Sequence, residues 1–166
     1  MAILQIKTIP ESVLRDKAEE ICDINQKIIT LSKNMVETMI AAHGAGLAAN
    51  QVGVPLRLFV IDASLNTIEK KPLIIMNPEI VESGEEITGE EGCLSIPGFF
   101  EFVRRAGKLR VRGIDIQGKT IDIECEGQLA RAMQHEADHL NGVLFIDHLS
   151  PVKKKIFKKK YSGTER

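Results

Sequence analysis

Residues 135–139 read His-Glu-Ala-Asp-His, inside Ala132-Met133-Gln134-His135-Glu136-Ala137-Asp138-His139-Leu140. On a helix, residues four apart lie about 40° apart around the axis, at roughly 100° per residue, so both imidazoles can reach one metal ion. A carboxylate directly after the first histidine is placed to take a proton from water that such an ion acidifies. This is the H-E-x-x-H arrangement of metal-assisted hydrolysis. The inert alternative is a solvated helical turn. A metalloprotease is the first chemical one, but the extended metzincin pattern needs a further histidine three residues after its glycine. Gly142 fits the glycine, whereas the last position is Phe145. A third ligand has to come from elsewhere.

Cys93, in Glu90-Glu91-Gly92-Cys93-Leu94-Ser95-Ile96-Pro97, is the best source. Gly89 and Gly92 are expected to permit tight turns there, and Pro97 restricts the chain just beyond. A thiolate suits a soft or borderline divalent metal. One cysteine and two histidines leave a fourth position open, as a catalytic site requires. The competing reading, a buried structural cysteine, is the one adopted for Cys22 and Cys125, which fall in expected helical and strand contexts. His43 and His148 lie near element ends and are expected to be surface or capping residues.

The segment Gly44-Ala45-Gly46-Leu47-Ala48-Ala49-Asn50-Gln51-Val52-Gly53 formally matches G-x-G-x-x-G/A. A dinucleotide site would need it to follow a strand and open a helix; here it follows a long helix, and nucleotide binding is rejected. Glycines let backbone approach a ligand closely, and the Gln51 amide is a donor for a carbonyl oxygen that becomes negative. A glycine-rich turn packed on a helix accounts for Ala48 and Ala49, less well for Gln51.

Together the three segments resemble the peptide deformylases. Gly44–Gln51 is similar to the family's G-x-G-L-A-A-x-Q, Glu91–Ser95 to E-G-C-L-S, and Gln134–His139 to Q-H-E-x-D-H, in the family order and in a chain of family-like length. The resemblance runs from about Ile3 to the tail. It implies hydrolysis of the formyl group from the N-formylmethionine that begins new polypeptides, releasing formate. It also implies that Cys93, His135 and His139 hold one divalent metal, usually Fe2+, with Zn2+, Ni2+ or Co2+ as substitutes. Glu136 would be general base and then proton donor. Gln51 and the backbone N–H of Leu94 would stabilise the oxyanion. Gly44, Gly46 and Gly92 would bind substrate, Gly46 by strand-like pairing with its backbone. Leu129 and Ala132 are expected as walls of a methionine pocket, with Arg131 and Phe99-Phe100 in segments that vary within the family. An H-E-x-x-H endopeptidase, and a non-catalytic RNA-binding protein with a structural metal, are the alternatives. Cys93 with Gln51 argues against the first. The lack of a convincing fourth ligand argues against the second.

These residues need elements to position them. Pro10 precedes a short helical patch, Glu11 to Ala18. Ile24, Ile28, Leu31, Met35 and Met39 recur at three and four, predicting an amphipathic helix that Gly44 stops. Leu58–Ile61 and Leu73–Met76, before Pro78, read as strands, with Glu101–Ala106 as a further one. Leu109–Ile116 and Thr120–Cys125 form a hairpin turning near Gln117-Gly118, with Ile121, Ile123 and Cys125 on one face. Helix resumes from about Gly127 to Leu140, with Leu129, Met133 and Leu140 inward. That order predicts an α+β fold, with antiparallel sheets packed around a central helix that carries the H-E-x-x-H motif.

The chain has 166 residues, 43% apolar and 27% charged, with a net charge of −1. That length fits one domain with a real core, and the charge gives no general case for nucleic-acid binding. The division expected is a catalytic domain at 1–150 and a basic tail at 151–166. The tail holds six lysines and Arg166 against Glu165, a pattern suited either to a solvated helix end or to ribosomal RNA phosphates. Three cysteines do not suggest a disulfide framework. No stretch approaches the roughly 20 apolar residues of a membrane span, and no signal-peptide core is visible. A bacterial cytoplasmic location is expected.

Overall fold

The computed structural model describes residues 2–65 and 68–161. Within them the chain forms α1 (Gln26–Ala41), β1 (Gly46–Ala48), β2 (Leu58–Asp62), β3 (Pro72–Ser83), β4 (Glu86–Cys93), β5 (Ile96–Ala106), β6 (Lys108–Ile114), β7 (Thr120–Glu126), α2 (Gly127–His139) and α3 (Pro151–Tyr161). Five strands form one sheet in the order β1-β2-β3-β6-β7, and β4 and β5 form a separate two-stranded sheet. All of these pairings are antiparallel. The α+β expectation holds, with α2 packed between the sheets.

The sheet buries Phe59, Ile61, Ile75, Leu109 and Val111 against Ala130, Met133 and Leu140 on and just beyond α2. Its other face packs Leu58, Val60 and Met76 against Met35 and Met39 of α1. α1 begins where the Asn25 side chain accepts a hydrogen bond from the Ile28 N–H at 3.1 Å, satisfying a first-turn donor. It stops at Ala41 with His43 in the left-handed region at φ 55°, so the stop precedes Gly44.

Several sequence expectations change. The patch 11–18 shortens to a 3-10 turn, Ser12–Arg15, because the Ala18 N–H turns to the Leu140 carbonyl at 2.9 Å. β3 runs through Pro78, since Asn77 takes a positive φ of 48° and the register with β6 shifts there, a bulge that accommodates proline. Cys22 is exposed, correcting the buried reading. Its neighbour Ile21 takes the inward position, held by Asn77 bonding both its N–H and carbonyl at 2.9 Å. Cys125 is buried as expected, and burial raises its thiol pKa.

Candidate active site

Cys93 ends β4, and Leu94-Ser95 forms the two-residue connection to β5. Tight turns at Gly89 and Gly92 are therefore not what those glycines provide: both lie within β4. At Gly92 an added Cβ would meet the Phe100 ring at 2.4 Å. The strand end delivers the Cys93 thiol to α2, where His135 and His139 occupy one face. The Cys93 Sγ is 3.4 Å from the His139 Nε2, which is 3.3 Å from the His135 Nε2. One donor atom from each of the three lies within 4.8 Å of the others. Three such donors on one point fit a single divalent cation. Both imidazoles are buried, and the inner His139 Nδ1 has no partner.

Glu136 lies against β1. A Cβ at Gly46 would come within 2.6 Å of the Glu136 Oε1, so this position admits only glycine if the carboxylate is to stay. Glu136 is 4% exposed, and its Oε2 is buried without a partner. Burial pushes this carboxyl up to about 7, with nearby Glu91 adding and His135 opposing.

Gln51 is held from both ends. Its Oε1 accepts from the Ala48 N–H at 2.9 Å. That backbone donor fixes the amide, so Nε2 faces Ser95 Oγ at 3.1 Å and Cys93 Sγ at 3.6 Å. Gly44, Gly46, Gln51, Gly92, Leu94 and Glu136 all line one cleft of about 600 Å³, into which Cys93 and His135 also open. β1 is the edge strand of the large sheet at this cleft. Of the expected pocket walls, Ala132 lines the cleft, whereas Leu129 packs on the sheet-side core. Phe100 lines the cleft and Phe99 is core. His43 reaches the cleft mouth at the end of α1, outside the donor cluster.

Behind the histidines lies a charged network that the sequence reading did not assemble. Glu91 Oε1 bonds the His135 Nδ1 at 2.9 Å, making Nδ1 the donor and turning Nε2 to the donor cluster. Arg105 grips Glu91 with two hydrogen bonds of 2.9 Å and reaches Asp138 at 2.5 Å. His148 bonds Asp138 at 2.8 Å. Gln134 exchanges hydrogen bonds with the Ala106 N–H and carbonyl at 2.9 and 2.8 Å, fastening α2 to the end of β5. Glu91 and Asp138 were visible inside the motifs. Arg105 carried no spacing signal, because an ion pair across 14 residues follows from strand pairing alone.

Burial works against the Glu91 carboxylate, but hydrogen bonds from Arg105 and His135 and the charge of Arg105 hold it well below the usual range. At His139 burial dominates, with the Arg105 charge adding, and keeps the ring neutral, the form that can ligate.

Fold and site together define a hydrolase of α+β fold whose buried cysteine and histidine donors could hold a divalent cation. The family model for polypeptide deformylase matches residues 3–155. A peptide deformylase of Thermodesulfovibrio yellowstonii is 51% identical over 161 residues, covering 97% of this chain and 98% of the relative. That of Syntrophobacter fumaroxidans is 48% identical, covering 97% and 95%. Among solved structures, the Legionella pneumophila peptide deformylase is 44% identical with a TM-score of 0.90, covering 99% of this chain and 96% of that one. The Ehrlichia chaffeensis enzyme in complex with actinonin is 39% identical with a TM-score of 0.91, covering 100% and 99%. The chain belongs to the polypeptide deformylase family. It is a hydrolase that removes the N-formyl group from new polypeptides.

Proposed function

We propose that Cys93, His135 and His139 hold one divalent metal ion, Fe2+ in the cell, and that Glu136 is the proton carrier of deformylation. The observation carrying this is the convergence of Sγ and the Nε2 donors beside a buried, unpartnered Glu136 oxygen. Bound there, the ion supplies Lewis acidity, which acidifies water and polarises the formyl oxygen. Glu136 accepts the proton of the attacking water and gives it to the leaving amine nitrogen as the carbon–nitrogen bond breaks. Formate and a free amino terminus result. The Gln51 Nε2 and the Leu94 N–H donate to the formyl oxygen as it gains negative charge.

Substrate lies along the edge of β1, Gly46 pairing with its backbone as an added strand. Gly44 and Gly92 leave room for that approach, and the methionine side chain enters the cleft beside Ala132. Residues 1–150 carry the chemistry. Residues 151–166 are a docking segment for ribosomal RNA, supported by the exposed lysines of α3. No helix among the described residues is long and apolar enough to cross a membrane, and bacterial relatives support action in the cytoplasm, on nascent chains.

The test is formate release from a formyl-Met peptide, with and without chelator, beside metal analysis of anaerobically purified protein. Turnover lost to chelator and restored by Fe2+ is expected, with decay in air. Chelator-insensitive turnover would overturn the metal assignment.

A further inference from the structure

Arg131, four residues before His135, has no part in the chemistry above, yet it is 5% exposed and fully engaged. Its Nη1 donates to Glu91 Oε2 and to the Val103 carbonyl, both at 2.8 Å, and its Nη2 donates to the Ile87 carbonyl at 3.0 Å. One planar group thus joins α2, which carries His135 and His139, to β4, which carries Cys93, and to β5. The seat is prepared by Gly89 on β4, where an added Cβ would stand 2.9 Å from the guanidinium carbon and two of its nitrogens.

The effect on Glu91 is specific. Its Oε2 already accepts from the Arg105 Nε at 2.9 Å, and Arg131 takes the second lone pair. Its Oε1 accepts from the Arg105 Nη2, leaving one direction for the His135 Nδ1–H. Arg105 ties the carboxylate to Asp138 on α2. Arg131 ties the carboxylate to the backbone of two strands, so the ring plane of His135 is fixed relative to Cys93.

Resting on the metal-site reading above, we infer that Arg131, seated on Gly89, is a positioning residue that presets the spacing between the Cys93 and His135 ligands. Loss of the direct outer partner of a ligating histidine, here Glu91, typically weakens metal binding by about 10–100-fold, and Arg131 acts one bond further out, through that partner. The experiment titrates metal-free protein with Co2+ against a competing chelator and records the cobalt absorption spectrum, with Tm by circular dichroism. Arg131→Met removes fork and charge together. Arg131→Lys keeps the charge but cannot serve three acceptors in one plane. Gly89→Ala keeps the arginine and displaces it, since the end of a flexible side chain yields before backbone does.

The expected result is a Co2+ affinity lowered by up to about tenfold in Gly89→Ala and Arg131→Lys, with a shifted spectrum. Wild-type affinity and spectrum in these two overturn the inference, whether or not Tm falls and whatever Arg131→Met does, since an effect confined to that variant would be one of charge. If Arg131→Met does not fold, the two charge-retaining variants still decide. Failure of wild-type protein to bind Co2+, or binding that survives Cys93→Ser unchanged, would instead sink the metal-site reading itself.

Discussion

The close approach of Gly46 to Glu136 makes one hydrogen-to-methyl change a test of the proton carrier. Gly46→Ala places a carbon 2.6 Å from the Glu136 Oε1, so the carboxylate must move, while the nearest atoms that methyl meets are all of Glu136 and none is of Cys93, His135 or His139. We expect metal content to persist and formate release to fall steeply. Glu136→Gln keeps the shape and removes the base, and should bind metal yet lose nearly all turnover; substantial residual activity would contradict the assignment. Gln51→Ala removes one aimed donor and should lower kcat by about 100–1,000-fold, the usual scale for a single oxyanion donor, with KM for a formyl-Met peptide little changed. At this scale much was legible. His135, Glu136 and His139 announce themselves by helical spacing, and Cys93 follows because two histidines leave a metal underligated. Arg131 was visible only as a residue beside the expected methionine pocket, in a segment that varies within the family. Its role depends on Glu91, Ile87 and Val103, which the strand pairing brings to it.

α3 poses the question at the scale of an element. Its lysines suggested a solvated helix end or an RNA contact, and one side of the helix is anchored: Phe157 packs edge-on against Phe99 with ring centroids 4.9 Å apart, and Tyr161 bonds the Pro97 carbonyl. Phe99 in turn stacks near Phe145, whose ring lies 6.0 Å from that of His135. Phe157→Ala should therefore lower stability, by about 1–3 kcal/mol for a half-buried aromatic, read as a fall in Tm, with turnover of small formyl-peptides retained in the folded protein. Changing the exposed Lys154, Lys155 and Lys158 to glutamine tests docking separately: Tm should hold while ribosome binding at low salt weakens, and unchanged binding would remove the docking proposal. The elements themselves were unevenly legible. α1, the β6–β7 hairpin and α2 were readable because their apolar residues keep a period. β4, with Gly-Glu-Glu-Gly at its centre, has none; it is a strand because β5 pairs with it from Glu86 to Cys93. β1 was hidden for the same reason, as three residues at a sheet edge hold no pattern.

At the scale of the whole molecule, carboxylates held ionised away from the donor cluster make a contribution to stability whose pH dependence has a fixed direction. Asp62, 1% exposed at the end of β2, shows this away from the metal centre. Burial alone would raise its pKa. Hydrogen bonds from Ser64 and Lys70 and from the Lys71 and Ser64 N–H groups outweigh burial and hold it well below the ordinary 3.8. Asp122, between Arg110 and Arg112, is lowered to about 2 by the first and then the second. A carboxyl lowered on folding binds its proton less readily in the native state than in the unfolded chain. Its stabilising contribution is thus complete above the unfolded pKa near 3.8 and is lost as pH falls towards the folded value. The share that these carboxylates contribute should hold from pH 7 to about 5 and then decline, most steeply below about 4. Asp62→Asn isolates one share of this. It keeps an acceptor for the Ser64 and Lys71 N–H groups but loses the charge opposite Lys70, 2.9 Å away. Urea midpoints measured from pH 7 to pH 2 should place the variant below the native protein at neutrality. The two curves should draw together in acid, as protonation of the unfolded chain erodes what the native carboxylate contributes. Parallel curves across the range would show that Asp62 titrates alike in both states, and would remove it from the set of residues that make folding acid-sensitive.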